Sequence, residues 1–179
     1  MTAYKSISLL LLGIFIFSCN SSSPKNSEVT NNYILITTAI RTSKESRLKF
    51  QDKFATAMDS FLVKDNPLVK LDEQKRLLEE AKNENKKAED LISAANEIDS
   101  NLPYKEKALD MFRFLDNQYN YSYPEIFRIM ESSEKNKKGL IAKIIVPTTD
   151  TLKGKVKEVI EIAKSVANRY DIKLVEVAN

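Results

Sequence analysis

Between Gly13 and the end of the 179-residue chain there are only two glycines, Gly139 and Gly154. That scarcity narrows the fold more than any other feature. Tight hairpin turns draw on glycine for positive φ, so a turn-rich all-β architecture is disfavoured. Proline supplies the punctuation instead: Pro67, Pro103 and Pro147 fall at broadly even intervals between stretches of helical period. Each predicts a short connection, because proline lacks the amide hydrogen and clashes with the preceding turn. Four helical segments result.

The first is expected from about Val29 to Val63, with Ile36, Ile40, Phe50, Phe54, Met58 and Phe61 as its apolar stripe. The second, from about Leu71 to Ile98, carries Leu78, Ala81, Asn85, Ala88, Ile92 and Ala95 at alternating spacings of three and four, which is a heptad seam. Its alanines admit a close neighbour, and Asn85 either fixes register inside the seam or touches water at its edge. The third, from about Tyr104 to Val146, runs through Ala108, Phe112, Leu115 and Tyr119 and then Ile126, Met130, Ser133, Leu140 and Ile144. Pro124 must kink or restart it. Thr148, Thr149 and Asp150 are expected to cap the fourth, whose stripe of Leu152, Val156, Val159, Ala163, Val166, Tyr170, Leu174 and Val177 continues to the end.

A competing arrangement pairs Leu140–Val146 and Ile172–Val177, both rich in branched residues, as strands of a βαβ unit with Tyr33–Ile40 as a distant third. Two strands make a poor sheet, so helical continuity decides. The expected fold is all-α: an antiparallel up-down-up-down four-helix bundle with long helices, the third kinked or broken near Pro124.

The first twenty residues have a different character. Lys5 precedes an apolar run from Ile7 to Phe17, too short to be a stable membrane anchor, and Ile16-Phe17-Ser18-Cys19 places a small residue before the chain's single cysteine. This arrangement resembles the lipobox of bacterial lipoproteins. The resemblance covers only residues 1–19, and it implies acylation of the Cys19 thiol, removal of residues 1–18 and a protein held to the membrane by several acyl chains, which anchor firmly where one does not. Asn20 follows the cysteine rather than the aspartate that often retains such proteins in the inner membrane, so the resemblance favours the outer membrane. Residues 19–28 then read as the acylated cysteine with a flexible polar tether, and residues 29–179 as the helical domain.

Removing residues 1–18 leaves 161, enough for one domain with a sizeable core and no disulfide to lean on. The formal net charge of the whole chain is +3 with both signs interspersed, which gives no footprint for nucleic acid. The sequence has 0 histidines, which removes the usual general base and the Glu-x-x-His pairs of di-iron bundles. No glycine-rich phosphate loop is present. Asp72, Glu79, Glu84 and Glu131 fall among lysines at helical spacing and read as solvated surface. No catalytic residue, metal site or cofactor is therefore expected.

Two features could bind a partner. Asn117-Gln118-Tyr119-Asn120-Tyr121-Ser122-Tyr123-Pro124 concentrates tyrosines where proline interrupts the third segment. Helical geometry puts Tyr119 and Tyr123 on one face and turns Tyr121 away, so these rings either offer an adaptable surface to a sugar or peptide or simply cap the core. The second feature is basic. A hairpin about Pro147 would bring Lys137 and Lys138 near Lys155 and Lys157, with Lys143 and Lys153 closer to the turn, a cluster able to attract phosphate or sulfate groups unless neighbouring glutamates make it an ordinary solvated face. The function expected is that of a lipid-anchored, non-enzymatic binding or adhesion module for an envelope protein or glycan. The alternative is a self-associating envelope scaffold, which would require more apolar surface than one core can bury.

Overall fold

The structure, a computed structural model, describes residues 15–17, 24–62, 70–172 and 174–176. Cys19, Asn20 and Pro67 lie outside the described residues. The fold is all-α in its body: α1 (Pro24–Thr42), α2 (Lys44–Leu62), α3 (Asp72–Ala94), α4 (Tyr104–Asn117), a π-helix (Gln118–Ser122), α5 (Tyr123–Glu131) and α6 (Lys137–Arg169). Two three-residue strands, β1 (Phe15–Phe17) and β2 (Leu174–Glu176), pair antiparallel with Ile16 opposite Val175.

Cross-helix bonds define how the helices meet. Asn96 at the end of α3 gives its amide to Asn32 of α1 (2.8 Å), while Gln74 at the start of α3 reaches the Lys53 carbonyl of α2 (3.4 Å). Asn85 in the middle of α3 donates to the Phe112 carbonyl of α4 (3.1 Å), and Lys107 of α4 pairs with Glu158 of α6 (2.9 Å). The seam of α3 is as expected: Leu78, Ala81, Asn85, Ala88, Ile92 and Ala95 are all buried. Asn85 is therefore inside it, not at a wet edge.

Several expected boundaries are corrected. Helix begins at Pro24, within the expected tether, with proline at the first helical position where its missing donor is harmless. The first segment is not one helix but two, parted at buried Ser43, where the Ser43 and Arg47 amides reach their acceptors at 3.3 and 3.4 Å while the Thr42 and Ser43 hydroxyls bond back to the carbonyls of Ala39 and Ile40. Such back-bonding competes with the helical ladder. The third segment ends at Glu131 rather than Val146. Residues 132–136 form the turn, with the Ser132 hydroxyl on the Ile129 carbonyl and Asn136 in the left-handed region at φ 60.

Pro147 does not connect two helices. It lies inside α6, and Thr148, Thr149 and Asp150 are mid-helix residues rather than a cap. The helix survives because Pro147 and Lys143, whose carbonyl loses its donor, are both exposed, the Thr148 hydroxyl bonds the Ile144 carbonyl (2.6 Å), and buried Ile141, Val156 and Val159 hold either side of the interruption. Of the two segments that could have been strands, 140–146 is helix and 174–176 is strand, so no βαβ unit forms. The fourth helix stops at Arg169. Asp171 adopts φ 50, and the Ile172 amide returns to the Ala167 carbonyl (2.8 Å) with the Ile172 side chain buried, a Schellman-type ending built without glycine.

The core divides into two clusters. One gathers Tyr33, Ile36, Ala39, Ala88, Ile92, Tyr104, Ala108, Phe112, Val159 and Val166. The other gathers Phe50, Phe54, Met58, Phe61, Leu77, Leu115, Tyr119, Ile126, Phe127 and Ile141.

Candidate functional site

The second cluster surrounds the π-helix. Pro124 has no amide hydrogen, and its ring would clash with the Asn120 carbonyl in a regular helix. The turn before it widens instead, so that the Tyr123 amide bonds the Gln118 carbonyl five residues back, and the Asn120 side chain takes the Asp116 carbonyl (2.9 Å). Such single wide turns recur at functional sites.

The three tyrosines fall as their spacing predicts. Tyr119 is buried and Tyr121 is 71% exposed, one of the few exposed large hydrophobic side chains among the described residues, with Leu91 and Val146. Tyr119 stacks on Tyr123 at 6.1 Å, and both meet Phe50 edge-on, at 6.3 and 4.7 Å. Phe54 adds edge contacts to Tyr123 and Phe127. Around Tyr121, a shallow outward depression is formed with Asn120, Pro124, Glu125 and Arg128. Arg128 is locked in place by both oxygens of Glu125 (2.8 Å each) and by Glu134 (2.8 Å).

Behind the tyrosines sits Arg47, 4% exposed, with no partner for its Nε. No carboxylate pairs with it among the described residues. Burial pulls the guanidinium below its ordinary pKa, opposed by the phenols of Tyr119 and Tyr123. Burial likewise pushes the Tyr119 phenol up to about 12, with Arg47 opposing, and drives Tyr123 well above its ordinary value. Lys44 is lowered mainly by burial and further by the Arg47 charge. Gln51 and Gln118 are also buried with unpartnered Oε1 atoms.

Next to this group, α2, α5 and α6 leave a narrow cleft with an enclosed volume of about 80 Å³. Its walls are mainly apolar, from Phe54, Met58, Ile126, Ile144, Leu152 and Val156, with Gln51, Tyr123 and Lys153 as polar points. None of Arg47, Gln51 or the cleft was singled out from the sequence, where polar residues on a helix read as surface.

The basic feature is corrected. Lys137, Lys138, Lys155 and Lys157 lie along one continuous helix, and Lys137 and Lys157 are about 30 Å apart by helical rise, so no hairpin gathers them. Lys137 caps the Met130 carbonyl (3.0 Å) over the Phe61 ring, Lys155 pairs with Asp110, and Lys157 approaches Glu161 at 3.8 Å. The acidic residues read as surface are surface: Glu131 pairs with Lys75 (2.6 Å) and Glu84 with Lys87 (2.7 Å). Among the described residues no group of three or more His, Cys, Asp or Glu could hold a metal ion, and no helix is long and apolar enough to cross a membrane. No family model matches the chain, and no curated protein or solved structure matches it either.

Proposed function

We propose that this chain is a lipid-anchored, non-enzymatic binding module of the bacterial outer membrane, held by acylated Cys19 and presenting the outward face of the Gln118–Ser122 turn to an envelope protein or glycan. In this reading α1 with α2, α3, α4 with α5, and α6 are the four rods of an antiparallel up-down-up-down bundle, kinked at Pro124. The observation that carries the binding role is the separation of the tyrosines: Tyr119 is buried while Tyr121 stands 71% exposed beside Asn120 and Arg128, on a turn held rigid by packing beneath it. A rigid aromatic ring flanked by adaptable polar groups provides contact area at little entropic cost. A self-associating scaffold is less well supported, because exposed large apolar side chains among the described residues are scattered singly rather than forming a stripe.

The anchor rests on the resemblance of residues 1–19 to lipoprotein leaders. Cleavage before Cys19 would take β1 away with the leader and leave β2 unpaired. Cys19→Ser should release the protein from the membrane fraction or leave its leader uncut, and should abolish incorporation of labelled palmitate. Unlabelled parent protein with unchanged membrane retention in the variant would reject the anchor. The binding role is tested separately, by retention of Tyr121→Ala on envelope or glycan preparations.

A further inference from the structure

The company that Tyr121 keeps narrows what its ring can recognise. Pro124 and Ile144 extend the apolar surface beside it, and Asn120, Ser122, Glu125 and Arg128 complete the depression. Its open space of about 550 Å³ falls within the roughly 300–1,000 Å³ of small-ligand sites. A specific protein interface, by contrast, covers about 800 Å² on each partner around a closely packed apolar centre. The other large exposed apolar side chains among the described residues, Leu91 and Val146, are not part of the depression. One ring with a polar surround is poor material for such a centre.

The polar groups are held in place before any ligand arrives. Arg128 gives Nε and Nη2 to the two oxygens of Glu125 and Nη1 to Glu134. Guanidinium N–H groups are left over, and both Glu125 oxygens keep lone pairs, so donors and acceptors stand side by side. Asn120 is fixed in the same manner: one N–H goes to the Asp116 carbonyl (2.9 Å), and the amide oxygen remains as an acceptor. Adjacent sugar hydroxyls match this pattern, since each can donate and accept, while the C–H face of a pyranose lies flat on an aromatic ring. The charge selects further. Two carboxylates, Glu125 and Glu134, share the Arg128 guanidinium, so the excess is negative and an anionic sugar is repelled.

We infer that the depression at Tyr121 binds an uncharged sugar of an envelope glycan, one pyranose ring stacked on Tyr121 and its adjacent hydroxyls bonded to the Arg128–Glu125 pair and to Asn120. The inference rests on recognition at Tyr121 as proposed above, and narrows its partner from protein or glycan to a neutral glycan. Preorganisation carries the affinity, because neither the ring on its packed turn nor the paired side chains must be ordered on binding.

The test is retention of the full chain carrying Cys19→Ser, so that no acyl chain contributes, on an envelope preparation before and after exhaustive protease digestion. Retention should survive digestion and exceed that of the same chain with Tyr121→Ala at least tenfold. Cellotriose or chitotriose should compete for it, and neither should do so once its primary hydroxyls are oxidised to carboxylates. Arg128→Met, which leaves the ring in place, should lose most of the retention with little change in melting temperature. Retention abolished by protease would make the partner a protein, overturning this inference while leaving recognition at Tyr121 intact. Equal retention of parent and Tyr121→Ala before digestion would instead reject recognition at Tyr121 itself, and this inference with it. Competition by neither trisaccharide, competition by the oxidised forms as well, or full retention of Arg128→Met would each overturn the assignment to a neutral sugar.

Discussion

The two halves of the core are built on opposite policies toward polar groups. Around Tyr33 and Tyr104 the helices approach through Ala39, Ala88, Ala95, Ala108 and Ala167, and the polar atoms that are present have partners. The Tyr104 hydroxyl bonds Thr37 (3.0 Å), and Asp99 takes Arg169 (2.8 Å) and the Tyr170 hydroxyl (3.2 Å). Around Phe50 and Tyr119 the packing is by large rings, and Arg47, Gln51, Gln74 and Gln118 all leave a buried atom unpaired, Gln51 on the wall of the cleft. Asn85, with Nδ2 bonded and Oδ1 unpaired, sits between the seam alanines Ala81 and Ala88, which belong to different halves. Unpaired buried polar groups lower stability, and proteins retain such costs chiefly where function uses them. Both halves bury large side chains, but only the second leaves buried polar atoms open to a partner.

The largest expected effect tests the closed half. Val159→Asp puts an unpaired carboxylate at a site 5% exposed, at a cost of several kcal/mol against a total stability of about 5–15, and should unfold the domain by circular dichroism. A folded variant with a normal melting temperature would mean that this half is not closed. Next in size is the pair at the π-helix. Tyr119→Ala should cost about 3–5 kcal/mol and Tyr121→Ala no more than about half a kcal/mol, measured by thermal melting. Equal losses would make the tyrosines a single core patch and remove the exposed face on which recognition at Tyr121 depends.

A smaller effect is expected from pH. The backbone amide of Asn101 holds the Asp99 carboxyl below its ordinary pKa, helped by Tyr170 and Arg169 against partial burial. A carboxylate whose folded pKa is depressed adds stability that is present above its unfolded pKa, about 3.9, and is lost as pH falls through the folded value. The parent should therefore lose stability relative to Asp99→Asn as melting is followed from pH 6 down to pH 2.5. A stability difference between the two that stays constant over that range would show that the closed half is not held by this charge.

Legibility in the sequence follows the kind of residue rather than the half of the core it belongs to. The α3 seam and the opposed placement of Tyr119 and Tyr121 follow from helical periodicity alone, because apolar residues have one favourable side to face. Pro147 misled because its cost of about 3 kcal/mol is outweighed by the packing of α6 on both sides, a tertiary effect that no local signal carries. The true turn, residues 132–136, is an unbroken polar run, and counting Ser133 as part of the stripe hid it. Arg47, Gln51 and Gln118 escaped for a chemical reason. A hydrophobic pattern treats a polar side chain as solvated, yet Arg47 stands three residues before Phe50 and seven before Phe54, in phase with the stripe, and Gln118 stands three after Leu115. The Schellman ending at Asp171 was likewise hidden, since the sequence signal for it is glycine.

The account's central claim is that the π-helix half trades stability for an unpaired cation, and urea denaturation of Arg47→Met against the parent, with no ligand added, tests it most directly. Replacing a buried charge with an apolar residue of similar volume is expected to stabilise by about 1–4 kcal/mol, seen as a higher midpoint at unchanged slope. A midpoint lowered as far as that of Tyr119→Ala would show that Arg47 holds the bundle together, and the contrast between the two halves would be gone.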